Sequence, residues 1–158
     1  RAFDHVGVAV DDPPENLDAP DVRLGGDAEP MLREQGLTLE DVMADSADID
    51  GLAAEWVGGF ERTFDAARRI ESREGPVTDR AAAVFLELLA EEIDTFVVTQ
   101  HDHETAREVK RRAEAALEGE TDPEELAVEF VDREINPGTT ADLIAGALFV
   151  ALEGGLEV

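Results

Sequence analysis

The amino-acid sequence predicts an all-α fold, a bundle of several helices that forms one domain over residues 1–158. From Thr38 onward, apolar residues recur at intervals of three and four, which is the spacing of a helix face. Asp122 followed by Pro123, with Glu125 at the third helical position, is a strong helix-start signal. No sustained alternation of apolar and polar residues predicts a strand. With 43% hydrophobic residues, the chain can bury a core.

The first half of the chain predicts an irregular segment followed by two helices. Residues 1–37 are expected to be largely irregular, because prolines interrupt them repeatedly. Thr38 is a predicted N-cap of a short helix, with Asp41 at the third helical position to complete a capping box. A long helix is predicted over residues 49–70 from its apolar spacing, and the Gly-Pro pair at 75–76 ends it.

The second half predicts four more helices. The first begins at Thr78 and carries apolar residues at helical spacing as far as residue 97. Another runs over about residues 104–117 and stops at Gly119. Asp122 caps the third, and the most apolar segment of the chain forms the fourth.

That last segment, residues 135–152, reads INPGTTADLIAGALFVAL and is the most informative part of the chain. Gly138 follows a proline and permits a turn with positive φ. Thr139 is a predicted N-cap with Asp142 at the third helical position. Beyond Asp142 only Gly146 interrupts the apolar residues, so we expect a helix buried nearly all round. Spacing alone leaves two interpretations open, a well-capped core helix or a site for an anion or a cation-bridged phosphate.

The charge of the chain is extreme. There are 39 acidic and 13 basic residues, which gives a formal net charge of −26, and Lys110 is the single lysine. Because the acids are spread through every segment of an otherwise ordinary apolar pattern, they favour adaptation to molar salt over an acidic surface that binds polycations. At about 1 M salt the Debye length falls to about 3 Å, which screens such self-repulsion.

Composition also excludes several classes of protein. We do not expect so acidic a chain to bind nucleic acid, because its one basic cluster, at residues 107–112, is too small for a duplex groove. The absence of cysteine excludes disulfides, thiolate-bound zinc and thiol catalysis. No signal peptide and no apolar stretch of about 18 residues is present, so we expect a cytoplasmic protein without a membrane partner.

Four segments in the same order resemble the triphosphoribosyl-dephospho-CoA synthase family. They are DVR at 21–23, TLEDVMADSADIDGLAAEWVGGF at 38–60, DTFVVTQHDHETA at 94–106 and NPGTTADLIAGALFV at 136–150. The last is similar to the family's NPG-x-x-ADLL signature and is the specific one. Since the family is usually nearly twice this length, and the chain begins at Arg1, we expect it to be the C-terminal portion of a longer transferase.

The resemblance implies transfer of the triphosphoribosyl group of ATP to a hydroxyl of dephospho-CoA, with release of adenine. ATP and dephospho-CoA are then the small-molecule partners, and Mg²⁺ is the implied metal. Displacement at C1′ of a ribose passes through an oxocarbenium-like state, which needs a nearby anion, a base for the hydroxyl and an acid for the leaving base. No Gly-Lys-Ser or Gly-Lys-Thr phosphate loop is present, so carboxylates with metal are expected to hold the triphosphate.

Three acids are the predicted catalytic and metal-binding residues, namely Asp50, Asp94 and Asp142. Asp50 lies in the segment similar to an Asp-x-x-Ala-x-Glu motif, and its alternative is a helix-start acid favoured by the helix dipole. Asp94 matches an Asp-Thr motif, although with Glu87 and Glu91 it also fits a solvated acidic stripe. We expect Glu55, in the first of these segments, to face solvent.

The predicted substrate-binding residues are mostly in the last segment, and they are Asn136, Gly138, Thr139, Thr140, Arg23 and His101. Arg23 suits a phosphate geometrically, and a surface ion pair is its alternative. His101 matches the family's histidine and is a candidate acid near adenine, with a surface loop histidine as the alternative.

Two rival functions stay open from the sequence. One is a relative with a different acceptor or a nucleotide hydrolase, and the other is a non-catalytic helical module that binds a nucleotide or a partner chain. The apolar last helix also favours either a homodimer or low stability, because it is suited to packing against further elements.

Overall fold

The computed structural model describes residues 28–157, which form nine α-helices and no β-strand, so the all-α prediction is confirmed. The helices are α1 (Ala28–Gln35), α2 (Leu39–Ser46), α3 (Gly51–Gly58), α4 (Glu61–Glu71), α5 (Val77–Glu91), α6 (Thr95–Gln100), α7 (His103–Leu117), α8 (Pro123–Asp132) and α9 (Gly138–Glu153). Helix α1 lies inside the segment predicted to be largely irregular. None of the helices in the described part is long and apolar enough to cross a membrane; the cytoplasmic location stays a prediction.

The core consists of two apolar clusters that share helix α5. In the first cluster, α4 and α9 pack against α5 around Ile70, Val84 and Leu143. In the second, α5 packs with α6, α7 and α8 around Leu89 and Val109. Helix α5 therefore joins the two halves of the bundle and fixes α6 relative to α9.

Small residues let α4 and α9 approach closely. The face of α9 toward the core carries Ala147 and Ala151, and both are fully buried. A Cβ on Gly146 would lie 3.0 Å from Cγ2 of Thr63, which is tighter than an ordinary contact. The Thr63–Gly146 contact therefore sets the spacing of these two helices.

Helix α9 is buried on one face only, so the prediction that it is buried nearly all round is wrong. Phe149 is 66% exposed and Leu152 is also exposed, because α4 and α5 cover only one side of the helix. The apolar run thus includes a surface that no described residue covers. The predicted homodimer stays a prediction.

The predicted long helix over residues 49–70 is two helices, α3 and α4. The chain turns at Gly59 and Phe60, which both adopt left-handed backbone conformations, with φ of 74° and 62°. Helical spacing of apolar residues continues across this turn, so periodicity alone did not reveal it.

The carboxylate of Glu55 stabilises that turn. Its Oε2 accepts hydrogen bonds from the Thr63 N–H at 3.0 Å and the Thr63 hydroxyl at 2.8 Å. Glu55 is only 5% exposed, so the prediction that it faces solvent is wrong. Phe60, at the N-cap position of α4, has no capping side chain, and Glu55 supplies the acceptor instead.

Other predicted boundaries hold where the signal is local. Thr38 and Asp41 form the predicted capping box of α2, and Asp122 caps α8 with Pro123 at the first turn. The helix predicted over residues 78–97 is interrupted after Glu91, and α6 begins anew at Thr95. The break places Asp94 at the N-cap of α6.

Candidate active site

The first turns of α3, α6 and α9 meet beside a cavity of about 470 Å³, called here the threonine cleft. Helix α3 is brought there after the loop that follows α2, and α6 after the break that follows α5. The residues that line the cleft are Ser46, Ile49, Asp50, Leu52, Thr95, Phe96, Thr99, Asn136, Gly138, Thr139, Ala141 and Asp142. Three of the segments that carry the family resemblance therefore converge on one place.

Asp94 lies behind the cleft and joins two helices. Its Oδ1 accepts hydrogen bonds from the Phe96 and Val97 N–H groups, at 3.0 and 3.1 Å, in its own helix α6. Its Oδ2 accepts from the N–H and the hydroxyl of Thr140 in α9, both at 2.8 Å. The side chain is 2% exposed, and four donors occupy it. One carboxylate thus caps the N-terminus of its own helix α6 and that of α9, where Thr140 lies 46 residues further along the chain.

The predicted capping of α9 by Thr139 is wrong. The N-cap position is Pro137, which has no side-chain acceptor, and the first turn of α9 contains no acidic residue. Thr139 is instead the second residue of the helix and is buried. A capping box is a local motif, whereas the acceptor for this helix comes from Asp94 in α6.

Hydroxyl groups link the same three helix ends. The Thr95 hydroxyl accepts a 2.9 Å hydrogen bond from the Gly51 N–H, and its oxygen lies 3.0 Å from the Thr139 hydroxyl oxygen. Thr139 in turn accepts from the Phe96 N–H at 3.1 Å. A Cβ on Gly51 would lie 2.9 Å from Cγ2 of Thr139, so a larger residue would separate α3 from α9. These contacts make the wall of the cleft a connected unit.

Gly138 is needed for close packing and not for a positive φ. It is the first residue of α9 and is absent from the positive-φ positions of the described chain. A Cβ there would lie 2.5 Å from Cδ1 of Phe96, a distance at which the ring would have to move. The Pro-Gly pair therefore lets the Phe96 ring lie directly against the backbone of α9.

Asp50 and Asp142 both line the cleft and both are exposed. Asp50 is the N-cap of α3, where its Oδ1 accepts from the Leu52 and Ala53 N–H groups at 2.8 and 3.3 Å. Its Oδ2 accepts no hydrogen bond from the described residues. Asp142 forms no hydrogen bond or ion pair within residues 28–157. Asn136 is also exposed on the cleft.

The three predicted acids therefore differ in their access to the cleft. Asp50 and Asp142 share the cleft, while Asp94 lies inside the protein and accepts a hydrogen bond from the N–H of Phe96, which lines the cleft. In the described part of the chain, no three acidic or histidine side chains are close enough to hold a metal by themselves. The oxygen donors of Asp50 and Asp142 still fit Mg²⁺, which commonly uses one or two carboxylates together with substrate phosphates and water.

The remaining predicted residues are less closely connected to the cleft. His101 ends α6 on the far side from Asp94, and its Nε2 lies 3.2 Å from the Glu134 carbonyl oxygen. Thr140 is buried, and both its N–H and its hydroxyl donate to Asp94. Arg23 lies outside the described residues. The proposed roles of His101 and Arg23 stay predictions.

Thr95 and Phe96 line the cleft, but the sequence analysis did not name them as site residues. The other lining residues that it did not name are Ser46, Ile49, Leu52, Thr99 and Ala141. Thr95 and Phe96 follow Asp94 directly, and a DTF tripeptide offers a visible cap-and-helix signal. Their contacts with Gly51, Gly138 and Thr139 all span more than 40 residues. No local pattern predicts such contacts.

A second cavity, of about 450 Å³, lies between α4 and α5 and is called here the arginine cleft. Arg69 lies at its centre, with Nε 2.7 Å from Oδ2 of Asp65 and Nη1 2.6 Å from Oε1 of Glu91. Desolvation raises the pKa of Asp65, but the charges of Arg69 and Arg68 outweigh it and hold that pKa below its ordinary value of 3.8. The hydrogen bond that the Arg69 guanidinium donates to Glu91 raises the pKa of Arg69.

Comparison with known proteins gives a family for the chain and a solved structure with a similar fold. The family model described as ATP:dephospho-CoA triphosphoribosyl transferase (CitG) matches residues 1–157. The chain belongs to this family. No curated protein matches the chain in sequence.

A solved structure of the same kind supports the family assignment. A protein from Archaeoglobus fulgidus, described as a candidate triphosphoribosyl-dephospho-CoA synthase, superimposes with a TM-score of 0.73 and 25% sequence identity. The match covers 85% of this chain and 63% of the other, so the chain spans less than two thirds of that protein's length. The all-α architecture and the predicted family are thereby both confirmed.

Proposed function

We propose that the chain forms part of a transferase that moves the triphosphoribosyl group of ATP to a hydroxyl of 3′-dephospho-CoA. The bond between C1′ of the ATP ribose and N9 of adenine breaks, and N9 keeps the electron pair and gains a proton. A bond forms between C1′ and the acceptor oxygen, which loses its proton. One observation carries the proposal beyond family membership: two exposed carboxylates, Asp50 and Asp142, line the cleft at which the three matching segments meet.

The proposed roles follow from the exposure of each side chain and from the hydrogen bonds that it already accepts. An anion beside C1′ stabilises the positive charge that develops there, and a second carboxylate can accept the proton of the attacking hydroxyl. Asp50 and Asp142 are the candidates because both are exposed on the cleft. Asp94, a predicted catalytic and metal residue, already accepts four hydrogen bonds, and its direct participation would require exchanging some of them.

Mg²⁺ is part of the proposal. Asp50 and Asp142 would hold it together with the triphosphate, and when bound it would neutralise phosphate charge that no described lysine or arginine of this cleft could meet. The carboxylates alone would repel ATP. The protein's own contribution is therefore to fix these two oxygen donors on α3 and α9, whose first turns are linked by hydrogen bonds through Thr95 of α6.

Adenine release from ATP, with and without dephospho-CoA, tests the proposal. We expect release that requires the acceptor, and a fall of about 100-fold or more for Asp142→Asn, because loss of a catalytic carboxylate removes acid–base or charge stabilisation. Asp132→Asn is the matched control, because Asp132 is an exposed acid at the end of α8 that does not line the cleft.

Three results would count against the proposal. Release without acceptor would identify a nucleotide hydrolase, and absence of release in any condition would favour a non-catalytic module. Equal activity of the Asp142 and Asp132 variants would remove the threonine cleft as the site of the reaction.

We further propose that the chain is adapted to molar salt. A net charge of −26 destabilises a compact state by self-repulsion, and screening relieves that cost. Thermal melts should show a transition temperature that rises from dilute buffer to molar KCl. A maximum in dilute buffer would contradict the proposal.

A further inference from the structure

Phe96 is the one aromatic side chain among the described residues that line the threonine cleft. Its backbone is fixed on one side, because the Phe96 N–H donates to both Asp94 and Thr139. The residue is 37% exposed, although its ring lies against Gly138. A ring held this way, with surface left open to a cleft, is preorganised to receive a flat partner.

The surroundings of the ring divide into an apolar part and a polar part. Ile49, which is half exposed, and Leu52 add apolar surface to the same cleft. Asn136 lies at its edge with an exposed side chain, and its amide carries both donors and an acceptor. Apolar walls with a few polar groups are typical of a site for a small planar ligand.

We propose that this part of the cleft is a purine subsite, in which the base of ATP stacks on Phe96 and the amide of Asn136 binds the base's hydrogen-bonding edge. The inference rests on the proposed function, since C1′ of the ATP ribose is bonded directly to the base. A base on Phe96 therefore brings C1′ near the carboxylates of Asp50 and Asp142, which line the same cleft. Asparagine pairs with the N6 and N7 edge of adenine in a bidentate manner.

The subsite also explains why α9 begins with a glycine, which the helix itself does not require. Gly138 is not needed for the backbone conformation of α9, but any Cβ there would displace the Phe96 ring. Alanine would be the better helix former. The glycine thus preserves the position of an exposed aromatic ring at a small cost to the helix.

Isothermal titration of the purified chain in molar KCl with Mg²⁺ tests the inference, with ATP, GTP and inorganic tripolyphosphate as ligands. We expect Phe96→Leu to weaken ATP binding by about tenfold, because stacking of a base on an aromatic ring contributes on that scale. Tripolyphosphate binding should not change. Phe96→Tyr keeps the aromatic face and should bind ATP as the unmodified chain does.

Phe149→Leu is the matched control for Phe96→Leu, since Phe149 is an exposed phenylalanine of α9 that does not line the cleft. It should leave all three affinities unchanged. Asn136→Leu should reduce the preference for ATP over GTP by about tenfold. Melting curves of each variant verify folding, and if Phe96→Leu fails to fold, the comparison of ATP with tripolyphosphate in the unmodified chain decides.

The outcomes separate the subsite from the reaction. Equal affinity of the unmodified chain for ATP and tripolyphosphate, or no ATP binding, would overturn the subsite. So would equal losses in the Phe96→Leu and Phe149→Leu variants. Loss of ATP affinity confined to Phe96→Leu, in a chain that releases no adenine, would support the subsite and contradict the proposed transferase.

Discussion

The threonine cleft and the arginine cleft have nearly the same volume, about 470 and 450 Å³, but they use polar groups in opposite ways. In the arginine cleft, Arg69 is already paired with Asp65 and Glu91 at the surface. In the threonine cleft, the charged group that holds the wall, Asp94, is buried behind it. The exposed carboxylates of Asp50 and Asp142 have no cationic partner among residues 28–157.

The charged groups of the arginine cleft stabilise the fold by pairing with one another. The exposed carboxylates of the threonine cleft are available to bind a ligand. Surface pairs between α4 and α5 satisfy one another and contribute modestly to stability. A buried carboxylate with four donors fixes two helix ends. The carboxylate of Asp142 and Oδ2 of Asp50, in front of it, accept no hydrogen bond from residues 28–157 and stay available to a ligand. Cavity size alone would not distinguish the two.

The largest expected effect on stability comes from the buried acid. Asp94→Asn places an amide N–H₂ where an oxygen accepts, so the buried Thr140 N–H or the two N–H groups of α6 lose their acceptor. We expect unfolding by denaturant to show a loss of about 2 kcal/mol. The Kd for ATP should rise with it, because the wall of the threonine cleft is held by the same bonds.

Asp122→Asn is the matched control, with the same change in charge at another helix N-cap. Asp122 is an exposed cap of α8, and asparagine caps as well as aspartate does. Its stability should stay within about 0.5 kcal/mol of the unmodified chain. If the Asp94→Asn and Asp122→Asn variants had the same stability, Asp94 would act as an ordinary helix cap. It would then not hold the wall of the threonine cleft as the comparison of the two clefts requires.

The smallest expected effect comes from the arginine cleft. Arg69→Gln should lower stability near neutral pH by about 0.2–1 kcal/mol, the range for exposed pairs, and molar salt should reduce the loss. The folded-state pKa of Asp65 is depressed, so its stabilising contribution is present above the ordinary value of 3.8 and is lost as pH falls through the lower folded value. The difference between variant and unmodified chain should shrink in that range.

Arg107→Gln provides the control for Arg69→Gln, because it changes the net charge by the same amount. Arg107 is exposed and forms no ion pair within residues 28–157. Any loss common to both variants therefore measures the general effect of net charge. A difference between them that persists unchanged as pH falls well below the ordinary value of 3.8 would show that titration of Asp65 does not govern the pair.

The parts of the fold that sequence predicted are those set by neighbours along the chain. Thr38 with Asp41, and Asp122 with Pro123, form their caps within one helical turn, so their patterns are complete in the sequence. The break at Gly59 and Phe60 was missed, because apolar spacing runs through it and the left-handed conformation of Phe60 has no sequence signal.

The sequence analysis predicted several residues of the site, but it did not predict how they contact one another. The family resemblance identified Asp50, Asn136 and Asp142, which all line the threonine cleft. It could not show that Asp94 caps α9, or that Glu55 caps α4, because each acceptor serves a helix other than the one that carries it. Such contacts between one helix and another depend on how the helices pack, and that packing is set by the whole sequence and not by a local motif.

The turn between α3 and α4 gives this protein a built-in optical reporter. Trp56 is the single tryptophan and the chain has no tyrosine, so its near-ultraviolet emission comes from one indole. That indole is 5.4 Å from the ring of Phe60 and half open to water, beside the left-handed residues that separate the two helices. A shift in its emission spectrum should therefore follow movement of α3 relative to α4, without any attached dye.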